Sequence, residues 1–135
     1  MGVKLSKEAL DLGIITRDGD AMLAFYRDVV GLPLVASIES SIGLMHRLAI
    51  GASVLKLVQP PTAPTASCPS GGEPGDASGP RYFTLRITNI DDVMADCEQA
   101  GAPIVWSKRP LSAGGGWVSL VEDPDGNLLE FVQDA

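Results

Sequence analysis

With 135 residues, 45% of them hydrophobic and 20% charged, the chain has the size and composition of one globular domain with a core of its own. Ten basic against 17 acidic residues leave a formal charge of −7, which argues against nucleic acid and anionic membrane as partners. The start MGVKLSKEALDLG lacks the apolar run of a signal peptide, no stretch approaches the roughly 20 apolar residues of a membrane span, and the two cysteines, Cys68 and Cys97, suggest no disulfide framework, so the cytoplasm is the expected compartment.

Residues 11–16, DLGIIT, read as a short strand. Asp18 is placed to cap a helix over about 19–30, with Met22, Phe25, Tyr26 and Val29 as its apolar stripe. Gly31 stops that helix, and Leu32-Pro33-Leu34-Val35 leads into a strand. Two more strands, 43–50 and 53–59, flank the tight turn Gly51-Ala52. Residues 60–80 hold six prolines and four glycines, with no Val, Leu, Ile or aromatic residue, and read as a linker or mobile loop.

After the linker the pattern returns. Residues 82–87, YFTLRI, form a strand, and Asn89 is the expected cap of a helix whose stripe is Ile90, Val93, Met94, Cys97 and Ala100. Gly101 ends that helix, and Ala102-Pro103-Ile104-Val105 opens the next strand. Asp18 and Asn89 lie 71 positions apart (89 − 18), and the stops GLPLV at Gly31 and GAPIV at Gly101 lie 70 apart (101 − 31). Two caps and two stops at nearly equal offsets mark an internal repeat of strand, helix and three strands. The chain closes with EDPDGNLLEFVQ, residues 122–133, where Asp123-Pro124-Asp125-Gly126 reads as the turn of a hairpin. Glu130 is a carboxylate within an otherwise apolar strand, which needs a partner or a task.

The paired units, FYRDVVGLPLV in the first helix and EDPDGNLLEFV at the end resemble the glyoxalase, bleomycin-resistance and extradiol-dioxygenase proteins, the vicinal oxygen chelate superfamily. The resemblance covers roughly residues 9–133, apart from the linker. It implies an α+β fold of two βαβββ units (9–59 and 81–133 about a 60–80 linker) within one domain. It also implies an eight-stranded curled cup with helices outside, a small-molecule ligand inside, and a homodimer.

Strand alternation turns Asp11, Lys56, Tyr82, Thr84 and Arg86 to the cup, together with Trp117, Ser119 and Glu130. Turn length sets Arg47 opposite Lys56, and Ser119 opposite Glu130. His46 then faces the helix side. In metal-using relatives, the ligand positions correspond to Asp11, Lys56, Tyr82 and Glu130. A protonated Lys56 has no lone pair to give, so neither a metal nor another cofactor is expected. Lys56 is expected to pair with Asp11, and Glu130 to accept hydrogen bonds from Tyr82 or Ser119.

The resemblance and these residues together imply metal-independent proton transfer on a small organic molecule, of the isomerase, epimerase or lyase type. Glu130 is the candidate base, with Tyr82 and either Lys56 or Arg86 stabilising negative charge. Asp11, Arg47, Arg86, Trp117 and Ser119 are the candidate substrate contacts. Non-catalytic antibiotic binding of the bleomycin-resistance type is the alternative, and a metal-dependent lyase or dioxygenase the second.

Overall fold

A computed structural model describes residues 2–68, 72–111 and 114–135. The chain divides into two compact units, Met1–Thr65 and Ala66–Ala135. In the first unit β1 (Asp11–Ile15) is followed by α1 (Gly19–Leu23), which runs on as a π-helical turn over Ala24–Val29. Then come β2 (Leu34–Glu39), β3 (Leu44–Ile50) and β4 (Ser53–Gln59). The sheet order is β1-β4-β3-β2, with β1 parallel to β4 and the other pairs antiparallel. Asp18 caps α1 as expected, its carboxylate accepting from the Ala21 amide at 3.0 Å. The stripe buries Met22, Phe25 and Tyr26. Gly31, at φ +89°, ends the helical stretch in the left-handed region that favours glycine.

The second unit repeats the plan. Here β5 (Tyr82–Arg86), α2 (Ile90–Gln99), β6 (Ile104–Pro110), β7 (Trp117–Glu122) and β8 (Leu128–Gln133) form a sheet of order β5-β8-β7-β6. Ile90, Met94 and Cys97 are the buried residues of α2, which packs on β6, β7 and β8. The α+β class and the two βαβββ units are as the sequence predicts. The eight strands are hydrogen-bonded as two sets of four, one set in each unit.

Helix capping departs from expectation in the second unit. Asn89 stands at the cap position but its side chain makes no capping hydrogen bond. The Ile90 amide donates to Gln133 Oε1 at 2.8 Å. The first unit does the same, with the Gly19 amide donating to Gln59 Oε1 at 2.7 Å. In each unit the glutamine at the end of the last strand satisfies an open amide of the helix. That pins helix to sheet, and it shows which face of each sheet the helix covers.

The 60–80 stretch is partly structured. Pro74–Asp76 form a 3₁₀ turn, and Arg81 donates to the carbonyls of Pro74 and Ala77 at 3.3 and 3.4 Å. Residues 69–71 of that stretch lie outside the described residues, as do 112–113 before the glycine-rich tip. Gly116 has no room for a side chain, since a Cβ there would sit 2.5 Å from the Gln133 carbonyl oxygen. No helix among the described residues is long and apolar enough to cross a membrane.

The cysteines differ sharply, Cys97 being buried and Cys68 exposed. Burial, with Asp96 and Glu98 adding to it, pushes the Cys97 thiol up from 9.0 to about 11. A thiol reagent at pH 8 is expected to label Cys68 alone in the native chain and both cysteines in guanidinium. Because the folded value exceeds the unfolded one, the unfolded chain releases this proton first. Stability is therefore expected to fall as pH rises from 9 towards 11, and Cys97→Ala to flatten that part of the curve.

Candidate functional site

The glutamine caps sort the side chains. In the first unit Gln59 lies on the α1 side, and Leu57 and Leu55 alternate with it. The opposite face carries Asp11, Lys56 and Arg47, because Arg47 pairs with Lys56 across β3 and β4 as the two-residue turn predicts. His46, paired with Leu57, lies on the helix side, and its Nδ1 is 2.7 Å from Ser37 Oγ. The Lys56 ammonium is 3.4 Å from Asp11, which also accepts from Lys7 at 2.9 Å. Lys7 first, and then Lys56 against the opposing effect of burial, hold the Asp11 carboxyl below its ordinary value. The expected Lys56–Asp11 pair is therefore present. The Arg47 Nε is buried with no described hydrogen-bond partner.

In the second unit Gln133, Phe131 and Leu129 face α2, so Leu128, Glu130 and Val132 face away from it. Tyr82, Thr84 and Arg86 pair with those three in turn and share their face. Thr84 Oγ1 donates to Glu130 Oε1 at 2.8 Å. This corrects the expected donors, which were Tyr82 and Ser119. Tyr82 is 52% exposed, and Arg86 is bound to Asp134 at 2.8 Å. No described cation forms an ion pair with Glu130.

Two further expectations fail in the final hairpin. Glu130 pairs with Leu120, and Ser119 pairs with Phe131. Ser119 is fully buried on the α2 side, and its hydroxyl has no described partner. Trp117 lies on that same side, next to the Lys108 ammonium at 4.4 Å from its ring centroid. Neither residue shares Glu130's face, and Val118 and Leu120 take their places. The cause is the turn, which takes in Asn127 as a fifth residue. The Asp123 carboxylate accepts from the amides of Asp125 and Asn127, each at 2.9 Å, and from Asn127 Nδ2. One extra loop residue shifts the register by one and reverses every face of β7.

The same face holds a residue that sequence reasoning missed. Trp106 of β6 pairs with Leu120, which pairs with Glu130, so Thr84, Glu130, Leu120 and Trp106 form one row. Irregular register in β6 brings Arg109 to this face as well, opposite Val118. Its guanidinium carbon lies 3.7 Å from the centroid of the Trp106 ring. The WSKR stretch on a strand with bulges carries no periodic signal that places these two side by side.

The four positions that the resemblance marks for metal ligands are Asp11, Lys56, Tyr82 and Glu130. In the first unit one is an ammonium and the other is a carboxylate bound by two ammoniums. In the second they are a phenol and Glu130. No cluster of three or more His, Cys, Asp or Glu is placed to hold a metal among the described residues. This donor set does not fit a Zn²⁺, Ni²⁺ or Fe²⁺ centre.

A model of the Glyoxalase/Bleomycin resistance protein/Dioxygenase superfamily matches residues 10–131. A lactoylglutathione lyase of Haemophilus influenzae is 26% identical over 127 residues, which span 87% of this chain and 85% of that protein. Among solved structures, a lactoylglutathione lyase from Agrobacterium tumefaciens superposes with a TM-score of 0.64 at 23% identity, over 92% of this chain and 91% of that one. A glyoxylase/bleomycin resistance protein/dioxygenase domain from Frankia sp. reaches 0.76 at 15% identity, over 100% and 94%.

Proposed function

The chain belongs to the Glyoxalase/Bleomycin resistance protein/Dioxygenase superfamily, and on that premise we propose that it moves a proton on a small organic molecule, with Glu130 as base and no metal ion. The observation that carries this reading is the state of Glu130. It sits mid-strand on the sheet face away from α2, held by one hydrogen bond from Thr84 and by no described counter-ion. A carboxylate oriented through one oxygen keeps the other for a proton.

The reaction class is abstraction next to a carbonyl: the C–H pair of electrons moves into the carbonyl, and the proton goes to Glu130. The enolate then either takes a proton back at the carbon, from Glu130 or from water, or re-forms the carbonyl and expels a β-substituent, which leaves with its bonding pair and takes the proton from Glu130. Tyr82, two residues from Thr84 on the same face, is the proposed hydroxyl donor to the developing oxyanion. In the first unit the Lys56 ammonium is paired with Asp11. Lactoylglutathione lyase activity itself is not proposed, because the donors do not fit the ion that a metal-dependent reading needs.

The test is isotopic. Carbonyl compounds with an acidic α-C–H, selected by a rise in Tm, are incubated in D₂O with EDTA-treated protein. Deuterium incorporation above the buffer rate is the expected result. Binding without incorporation overturns the catalytic reading in favour of non-catalytic binding. We also propose a homodimer, checked by light scattering as twice the mass of one chain. A single-chain mass at micromolar concentration overturns that part.

A further inference from the structure

We propose that Arg109, stacked on Trp106, is a recognition site for the carboxylate of a planar organic acid. The proposal deepens the reading of Glu130's face as the ligand face, and rests on it.

The argument begins with the cations. Lys7, Arg27, Lys56, Arg86 and Lys108 each have a carboxylate within ion-pair distance. Arg17 and Arg81 donate to backbone carbonyls. Among the described residues Lys4, Arg47 and Arg109 have no such acid. Two of these three, Arg47 and Arg109, are guanidiniums. Of these three, only Arg109 lies on the sheet face that carries Glu130.

Its surroundings are built for a flat anion. One face of the guanidinium is covered by the indole at 3.7 Å. That contact fixes its plane while leaving the N–H fork at its edge free, the geometry that takes a carboxylate bidentately. The indole is held in turn by Glu73, whose oxygens accept from Trp106 Nε1 at 3.1 and 3.3 Å. Glu73 thus takes the indole N–H and forms no ion pair with Arg109. Between this pair and Glu130 lie Leu120, Val118 and Val132, all three buried. Trp106 and Glu130 are two strands apart, about 10 Å at the usual strand spacing.

The face therefore carries an acid-binding end and a base, separated by buried apolar residues. The matching ligand is flat, to lie against the Arg109–Trp106 stack, with its carboxylate at that end and its acidic C–H or hydroxyl towards Glu130. The two ends also keep the ligand's negative charge away from Glu130.

The probe pair is 2-naphthoate and its neutral analogue 2-naphthamide, titrated calorimetrically into the full chain, with the ¹⁵N-labelled Trp106 indole resonance (assigned with Trp106→Phe) as reporter. Naphthoate is expected to bind at least about ten-fold more tightly than naphthamide and to shift the Trp106 signal. Arg109→Gln, at an exposed site, is expected to keep the thermal midpoint and lose that preference. Arg109→Lys, which keeps the charge without the planar fork, is expected to lose most of it. Glu130→Gln is expected to retain it, so loss of exchange in that variant bears on the base alone. Equal affinities, no naphthoate binding at millimolar concentration, a preference that survives Arg109→Gln, or an unmoved Trp106 resonance each overturn the proposal.

Discussion

Glu130→Gln is expected to lower deuterium incorporation by roughly 10²–10⁴-fold while leaving ligand affinity within a few-fold. The substitution changes one atom of the carboxylate and keeps the volume of the side chain. Thr84 Oγ1, which donates to Glu130 Oε1 at 2.8 Å, finds the same acceptor in the amide oxygen. Orientation and fold are thus preserved, and what disappears is the oxygen that takes the proton. Thr84→Val provides the complementary case. It keeps the shape of the β-branched side chain, removes the orienting hydroxyl, and is expected to cost about ten-fold in kcat, with Thr84→Ser restoring most of it. Incorporation by Glu130→Gln at the parent rate removes Glu130 from the mechanism. An equal loss in Thr84→Val and Thr84→Ser removes the orienting role.

The parts of the fold that were legible in the sequence are those set by local chemistry. Gly31 and Gly101 mark helix ends because a left-handed residue there favours glycine, and both have positive φ. The Arg47–Lys56 register follows from Gly51-Ala52, a two-residue turn between Ile50 and Ser53, which leaves one way to count. The repeat was visible for the same reason, since caps and stops recur wherever the backbone makes the same change of direction.

What was not legible depends on side chains that act at a distance or inside a loop. Gln59 and Gln133 cap helices that begin 40 and 43 residues before them, and no local pattern links those positions. In β6 the register shifts between Ile104 and Trp106, and again between Trp106 and Arg109. Alternation counted from Ile104 therefore cannot place Arg109. The site suffers most from this. Trp117, placed in the cup by strand alternation, belongs to the α2 side, whereas Trp106 shares Glu130's face. Ser119 was misplaced by a single residue in the neighbouring turn.

That turn is where the second large effect is expected. Asp123→Ala should lower stability by about 2–4 kcal/mol, since hydrogen bonds to a charged acceptor contribute about 1.5–3 kcal/mol each and some of the released donors can reach water. Asp123 is buried, and its carboxylate gathers the amides of Asp125 and Asn127 and the Asn127 side-chain amide. Alanine removes every one of those acceptors. For a chain of this length the loss corresponds to a Tm lower by roughly 6–12 °C. Asp123→Asn is expected to fall between, because its amide oxygen still accepts while its NH₂ group faces the donors that the carboxylate satisfied. A denaturant midpoint that moves by less than about 1 kcal/mol in Asp123→Ala overturns this account of the turn. The catalytic consequence is separable. Glu130 is also held from its other side, through the pairing of β8 with β5 and the hydroxyl of Thr84. Exchange per folded molecule, measured well below the lowered Tm, is therefore expected to stay within a few-fold of the parent. A fall matching that of Glu130→Gln, with the variant still folded, shows that the β7 register positions the base as well as stabilising the sheet.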